Sequence, residues 1–142
     1  MSVSIRIRDG KGTSREAFVG TEGDLLVGTP HRSLYDTVVL SDTELHTMVV
    51  PRTGYEVHVT ALVLTGARDI GPEGSEVTLW IALDEQGTEK EQAIRFLIAR
   101  IQSISVSLPF GDSLYVPPKR YLLASCDDPT VYVTYWYHYY KV

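Results

Sequence analysis

Short runs in which apolar and polar residues alternate, broken by turn chemistry at about ten-residue intervals, constrain this chain more than any other feature. Val77, Leu79, Ile81 and Leu83 share one face of such a run. Val131, Val133, Tyr135, Tyr137 and Tyr139 share one face of another, with Tyr132, Thr134, Trp136, His138 and Tyr140 on its opposite face. A repeat of two suits a pleated strand and not a helix, whose faces recur every ~3.6 residues. Leu34 to Leu40, Leu45 to Val50, Leu114 to Val116 and Arg120 to Ser125 extend the series. Ser41 to Glu44, Gly54, Asp84 to Gly87 and Asp127 to Pro129 supply turns between the runs. The predicted fold is all-β: an antiparallel β-sandwich or jelly roll of about eight strands with an extended N-terminal arm.

Two stretches are less regular. Tyr55 to Thr65 alternates, but its second face turns apolar halfway, from Glu56, His58 and Thr60 to Leu62 and Leu64. That change predicts a strand running from a sheet edge into the core. Glu89 to Leu108 carries two signals. Lys90 to Ile101 suits a helix on propensity. Ile94, Phe96 and Ile98 alternate, as do Ile104, Val106 and Leu108. The β-rich flanks favour strand, with a bulge near Arg100 shifting the register.

Residues 1–30 differ from the rest and are read as the arm, leaving 31–142 as the sandwich domain. Val3, Ile5 and Ile7 alternate with Ser4, Arg6 and Arg8, which predicts a strand. Asp9 to Gly12 is turn chemistry, and Ala17 to Val19 with Leu25 to Val27 flank a Gly-containing hairpin loop. Gly28 to Pro30 reads as a linker. Eight large apolar residues serve this whole segment: Val3, Ile5, Ile7, Phe18, Val19, Leu25, Leu26 and Val27. Burying one contributes about 1.5–3 kcal/mol. Every ordered residue costs about 1–2 kcal/mol, so so sparse a set cannot order the segment by itself. The arm is expected to dock on its own domain, a sister subunit or a larger assembly.

The chain has 142 residues with 13 Lys and Arg against 18 Asp and Glu, a formal charge of −5. This length accommodates one core without a metal or disulfide staple. The acidic balance lacks the basic field of a general nucleic-acid binder. Cys126 is the single cysteine, so no intrachain disulfide framework exists. No apolar run approaches the ~18 residues of a membrane-spanning helix. Met1 to Arg8 lacks the continuous apolar stretch of a secretory leader.

Candidate chemistry is thin. Gly10-Lys11-Gly12-Thr13-Ser14 has the letters of a phosphate loop without its spacing. His31, His46, His58 and His138 show no metal-ligand spacing, although strand pairing between His46 and His58 is conceivable. Asp84-Glu85 and Asp127-Asp128 sit at turn tips, where calcium is the alternative to solvation. Cys126 has no histidine partner in sequence, and no Gly-x-Ser-x-Gly elbow occurs. No catalytic, cofactor or metal site is expected, and the chain is read as not an enzyme. The C-terminal aromatic run leaves three roles open. It suits a central sandwich strand, a subunit interface through Tyr132, Tyr135, Trp136, Tyr137, His138 and Tyr140, or a sugar-binding platform.

Two regions resemble a known group. Val3-Ser4-Ile5-Arg6-Ile7-Arg8-Asp9-Gly10-Lys11-Gly12, continuing to Glu16-Ala17 and Leu25-Leu26-Val27, resembles the N-termini of small tailed-bacteriophage virion proteins. Leu114-Tyr115-Val116-Pro117-Pro118-Lys119 to Ser125, then the closing aromatic strand, is similar to the last strands of phage accessory β-sandwiches. The resemblance covers roughly a third of the chain and implies a capsid decoration, or cement, protein. Such a protein is part of the virion, assembled in the host cytoplasm, and contacts neither nucleic acid nor membrane. Its implied partners are the major capsid protein and itself, as a homotrimer or homodimer. The arm would bind the shell by strand addition through Ile5, Arg6, Ile7, Arg8, Lys11 and Arg15, the cations meeting acidic capsid groups. A solvated strand face is the other reading of those cations. Head fibre, tail or neck protein and carbohydrate-binding module remain the alternative functions.

Overall fold

The computed structural model describes residues 33–108 and 113–142 in full, and the backbone of 3–8, 14–19 and 25–26. Among the described residues every regular element is a strand. The chain divides into two units, 1–32 and 33–142. In the first, β1 (Val3–Arg8), β2 (Ser14–Val19) and β3 (Leu25–Leu26) form an antiparallel sheet in that order. Val3 lies opposite Val19 and Arg8 opposite Ser14, while Phe18 faces Leu26. The expected turn at 9–12 and linker at 28–30 lie outside the described residues.

The second unit is the sandwich. Its strands are β4 (Leu34–Leu40), β5 (His46–Val49), β6 (Tyr55–Gly66), β7 (Ser75–Ala82), β8 (Glu91–Ile98), β9 (Ser103–Ser107), β10 (Leu114–Val116), β11 (Tyr121–Cys126) and β12 (Val131–Lys141). A front sheet runs β10-β6-β12-β4, with β9 also paired to β6. A back sheet runs β5-β11-β7-β8. All pairings are antiparallel. The two sheets pack face to face through one hydrophobic core, so the fold is the expected β-sandwich, with one strand more than anticipated in the region 89–108.

That extra strand corrects the reading of Glu89 to Leu108. The chain does not continue through a bulge near Arg100. It leaves the back sheet at Ile98 and enters the front sheet at Ser103. The crossover turn holds Ile101 at a positive φ of 56°. Gln102 Oε1 accepts from the Ala99 N–H at 2.8 Å. Gly66 and this turn clasp each other: the Gly66 N–H donates to the Gln102 carbonyl (2.8 Å) and the Ile101 N–H to the Gly66 carbonyl (3.0 Å). A Cβ on Gly66 would collide with the Ala99 carbonyl, so only glycine permits this approach. Alternating side chains on both sides of a sheet crossover look like one long strand, which is why sequence periodicity merged them.

A second correction concerns β6. It is an interior strand along its length, with β12 on one side and β10 and β9 on the other. Trp136 faces Ala61 but Tyr137 faces Val59, so Thr60 is an extra residue in β6. This bulge inverts the side-chain phase. Val57 and Val59 point inward before it, Leu62 and Leu64 after it, and all four are buried. The halfway change of polarity in the sequence therefore marks a bulge and not an edge-to-core transition.

The aromatic strand β12 lies at the centre of the front sheet, between β6 and β4. Val131, Val133 and Tyr135 are buried, and Tyr137 and Tyr139 pack against the core. The Tyr135 hydroxyl donates to the Met48 carbonyl, and the Tyr139 hydroxyl to the Val50 carbonyl at 3.0 Å. Met48 is skipped in the β5–β11 register, so its carbonyl lies at an irregularity of the ladder. A tyrosine reaching across the sandwich gives that carbonyl a donor while burying its ring. Burial pushes the Tyr135 phenol far above its ordinary pKa, and it raises those of Tyr137 and Tyr139 as well.

Candidate functional site: the outer face of the front sheet

The strand pleat that sends valines and tyrosines of β12 inward sends Tyr132, Thr134, Trp136, His138 and Tyr140 outward. β4 contributes Tyr35, Thr37 and Val39 beside them, opposite Trp136, Thr134 and Tyr132. Tyr35 is 72% exposed. Its ring lies 6.4 Å from that of Trp136 with planes tilted by 28°. On the other side of β12, β6 presents Ala61 and Val63, and β9 presents Ser107 and Ser105 opposite them. The small side chains of β6 between a tryptophan and a row of serines leave a groove of about 480 Å³. Trp136 walls it on one side, and Ser33, Ser105 and Ser107 line it too. Among the described residues no ionisable side chain lines it.

The Tyr140 end of this face is more polar. His58 and His138 face each other across β6 and β12. His58 Nδ1 lies 2.9 Å from Ser113 Oγ, and His58 Nε2 lies 3.4 Å from Glu56 Oε1. His138 Nε2 meets Ser33 Oγ at 3.0 Å. The ring of Tyr140 packs on His58 at 4.7 Å, and Tyr115 packs on His58 at 5.4 Å. A hydrogen bond to Glu56 raises the Tyr115 phenol above its ordinary pKa. Glu56, His58 and Ser113 have the order of a nucleophile relay. Glu56, however, is shared between His58 and Tyr115, and the groove opens farther along the sheet, over Ala61 and Val63. The cluster's hydrogen bonds join β6 to the start of β10, and the Tyr140 ring of β12 packs on the same histidine.

The residues singled out from sequence fall as follows. Tyr132, Trp136, His138 and Tyr140 share the outer face. Tyr135 and Tyr137 do not: Tyr135 is 1% exposed and Tyr137 packs on the core, so both are core residues and are removed from the candidate interface. Ile5, Arg6, Ile7 and Arg8 lie on β1 and Arg15 on β2, with Arg6 opposite Glu16 and Ile7 opposite Arg15 in the register. Lys11 and His31 lie outside the described residues, as does most of the Gly10 to Ser14 stretch. His46 belongs to the back sheet and His58 to the front, so strand pairing does not join them; it joins His58 to His138. His46 instead contacts Asp42 at 2.7 Å, and that bond holds the Asp42 carboxyl below its ordinary pKa.

The turn-tip carboxylates act as loop clamps. Asp127 Oδ1 accepts from the Glu76 N–H (2.7 Å), Asp128 Oδ2 from the Gly71 N–H (2.8 Å), and Asp69 from the Thr130 N–H and hydroxyl (2.9 and 2.8 Å). Asp84 binds its own turn through Thr88 and Gln86. Among the described residues no group of three or more His, Cys, Asp or Glu side chains is placed to hold a metal ion. Cys126 is buried, its Sγ against the Leu40 and Asp42 carbonyls, and burial raises its pKa away from a reactive thiolate. Sequence reasoning missed the groove, because Ala61, Val63, Ser105 and Ser107 carry no chemistry of their own. Only the pairing of β9 with β6 brings them together.

Comparison with protein-family models finds no match, and comparison with curated proteins finds none either.

Proposed function

We propose that this chain is a non-enzymatic virion component, a capsid decoration or cement protein that fastens onto the outside of a phage head. The observation that carries this reading is the division of the chain. One core serves residues 33–142, while residues 1–32 form a separate small unit whose sequence is poor in apolar side chains. A body that is complete in itself and an appendage that needs a partner are what a fastening protein requires. Ile5, Arg6, Ile7, Arg8, Lys11 and Arg15 would engage the major capsid protein by strand addition and ion pairing. Weak contacts of that kind become firm when several arms of a homotrimer or homodimer bind at once. The outer face at Tyr132, Trp136, His138 and Tyr140 is the surface for self-association or for display.

Removal of residues 1–28 tests this. The shortened chain is expected to keep its circular-dichroism spectrum and thermal transition but to lose co-sedimentation with particles stripped of the protein. Undiminished co-sedimentation would remove the arm from the mechanism. A folded chain that binds through the sandwich alone, at one vertex or at the tail, would favour a head-fibre, tail or neck role instead.

A further inference from the structure

We propose that the groove over Ala61 and Val63 is a binding site for a neutral, gluco-configured pyranose of a surface polysaccharide. The inference is independent of how the chain is fastened, because the described residues that line the groove belong to the second unit. Three observations converge on it. First, Trp136 stands as a flat aromatic wall beside the groove, and Tyr35 backs it from the opposite side at 6.4 Å and 28°. The indole packs on Tyr35 and also lines the space above β6. Second, Ser105 and Ser107 line the same groove and supply hydroxyl donors and acceptors, with Ser33, whose hydroxyl already meets His138, at its border. Third, among the described residues no ionisable side chain lines the groove, so they offer a phosphate, carboxylate or ammonium ligand no countercharge there.

A ligand that fits must be neutral, apolar on one flat side and rich in hydroxyls at its rim. A pyranose with equatorial hydroxyls answers that description: its axial C–H bonds form an apolar face that lies on an aromatic ring, and its hydroxyls project sideways. An apolar peptide would leave the serine hydroxyls facing carbon. The volume of about 480 Å³ lies within the ~300–1,000 Å³ of small-molecule sites. The bulge at Thr60 is part of the construction, since it sets which β6 residues face outward between Trp136 and β9. Tyr35 acts as a positioning residue, through Trp136.

The test uses the full 142-residue chain labelled with nitrogen-15 and titrated with cellohexaose and with maltohexaose. Trp136 and Trp80 lie in opposite sheets, so their indole N–H resonances separate the site from the rest of the protein. The Trp136 resonance is expected to move saturably with at least one of the two sugars while Trp80 stays still. Ser105→Tyr fills the groove from the exposed edge strand and leaves the indole in place; it should weaken binding at least tenfold with an unchanged thermal transition. Tyr35→Ala should weaken it by a smaller factor. The proposal fails if neither sugar moves Trp136, if both indoles move together, or if Ser105→Tyr binds as well as the unmodified chain. It also fails if the sugars do nothing while Ser105→Tyr abolishes a concentration-dependent self-association, because the groove then belongs to a second copy of the chain.

Discussion

The two outer faces of the sandwich are finished differently. On the back sheet, Trp80 is covered: its indole N–H donates to Ser125 Oγ (3.0 Å), and Lys90 Nζ lies 4.6 Å from its ring centroid. Arg95 and Glu76 pair at 3.0 Å beside it. Charges of both signs meet water there, as a surface meant to stay solvated requires. On the front sheet, Tyr35, Val39, Tyr132 and Trp136 spread over β4 and β12, and the adjoining β6 and β9 contribute alanine, valine and serine. The edge strands follow the same division. β8 carries Glu91, Gln92 and Arg95, whereas β4 is seven residues long with Asp36 as its only charge. A sparsely charged edge beside an aromatic face, left bare, invites association. The contrast teaches that β12 has two separate duties, packing the core with one face and forming the outer surface of the front sheet with the other.

The largest expected effect separates those duties. Tyr135→Ala removes a buried ring and should cost about 3–5 kcal/mol in denaturant unfolding. Tyr132→Ala, on the other face of the same strand, should cost less than about 1 kcal/mol. Equal losses would erase the distinction between the faces. Tyr135→Phe is intermediate: it strands the Met48 carbonyl without its donor and should cost about 1–3 kcal/mol.

Alkali sharpens the same comparison. Tyr135, Tyr137 and Tyr139 have folded-state pKa values raised above the ordinary 10.0 by burial. Their contribution to stability is therefore fully present below that value and is lost as pH rises through the folded values. An ultraviolet titration should show Tyr135 ionising only as the sandwich unfolds, with Tyr137 and Tyr139 ionising later than ordinary phenols, and tyrosinate formation at Tyr135 in the intact fold would contradict its placement. In acid the sign reverses. The Thr130 hydroxyl holds Asp69 below 3.8, so its clamp stabilises at higher pH and fades as pH falls through the depressed value. Asp69→Asn should flatten that acid limb. The smallest effect belongs to the back face, where Arg95→Ala should change stability by less than about 1 kcal/mol because both partners of the Glu76 pair are substantially exposed.

Much of this architecture is legible in the residues themselves. The two faces of β12 follow directly from the alternation of Val131 to Tyr140, and the turns at Asp42, Asp84 and Asp127 from their carboxylates. What periodicity alone could not convey was long-range pairing. The Thr60 bulge leaves no mark except a change of polarity, which an edge-to-core strand would leave equally. The crossover at Ala99 to Gln102 needs Gly66, thirty-odd residues earlier in the chain, to accept its close approach. Tyr135 and Tyr137 looked like interface residues because tyrosine suits both a core and an interface; the inter-sheet acceptor on Met48 decides for the core at Tyr135, and packing against the core does so at Tyr137. The groove could not be read in advance because its walls come from β9, β6 and β12, joined only by register.

The claim on which the account rests is that this chain coats the exterior of a phage head. Cryo-electron microscopy of the purified particle, with quantitative mass spectrometry of its proteins, measures that directly. The account predicts density for the sandwich on the outer shell, N-terminal strands laid against the major capsid protein, and a copy number on the scale of the shell subunits. A copy number matching a single ring, spike or vertex, or absence of the chain from the particle, would contradict it.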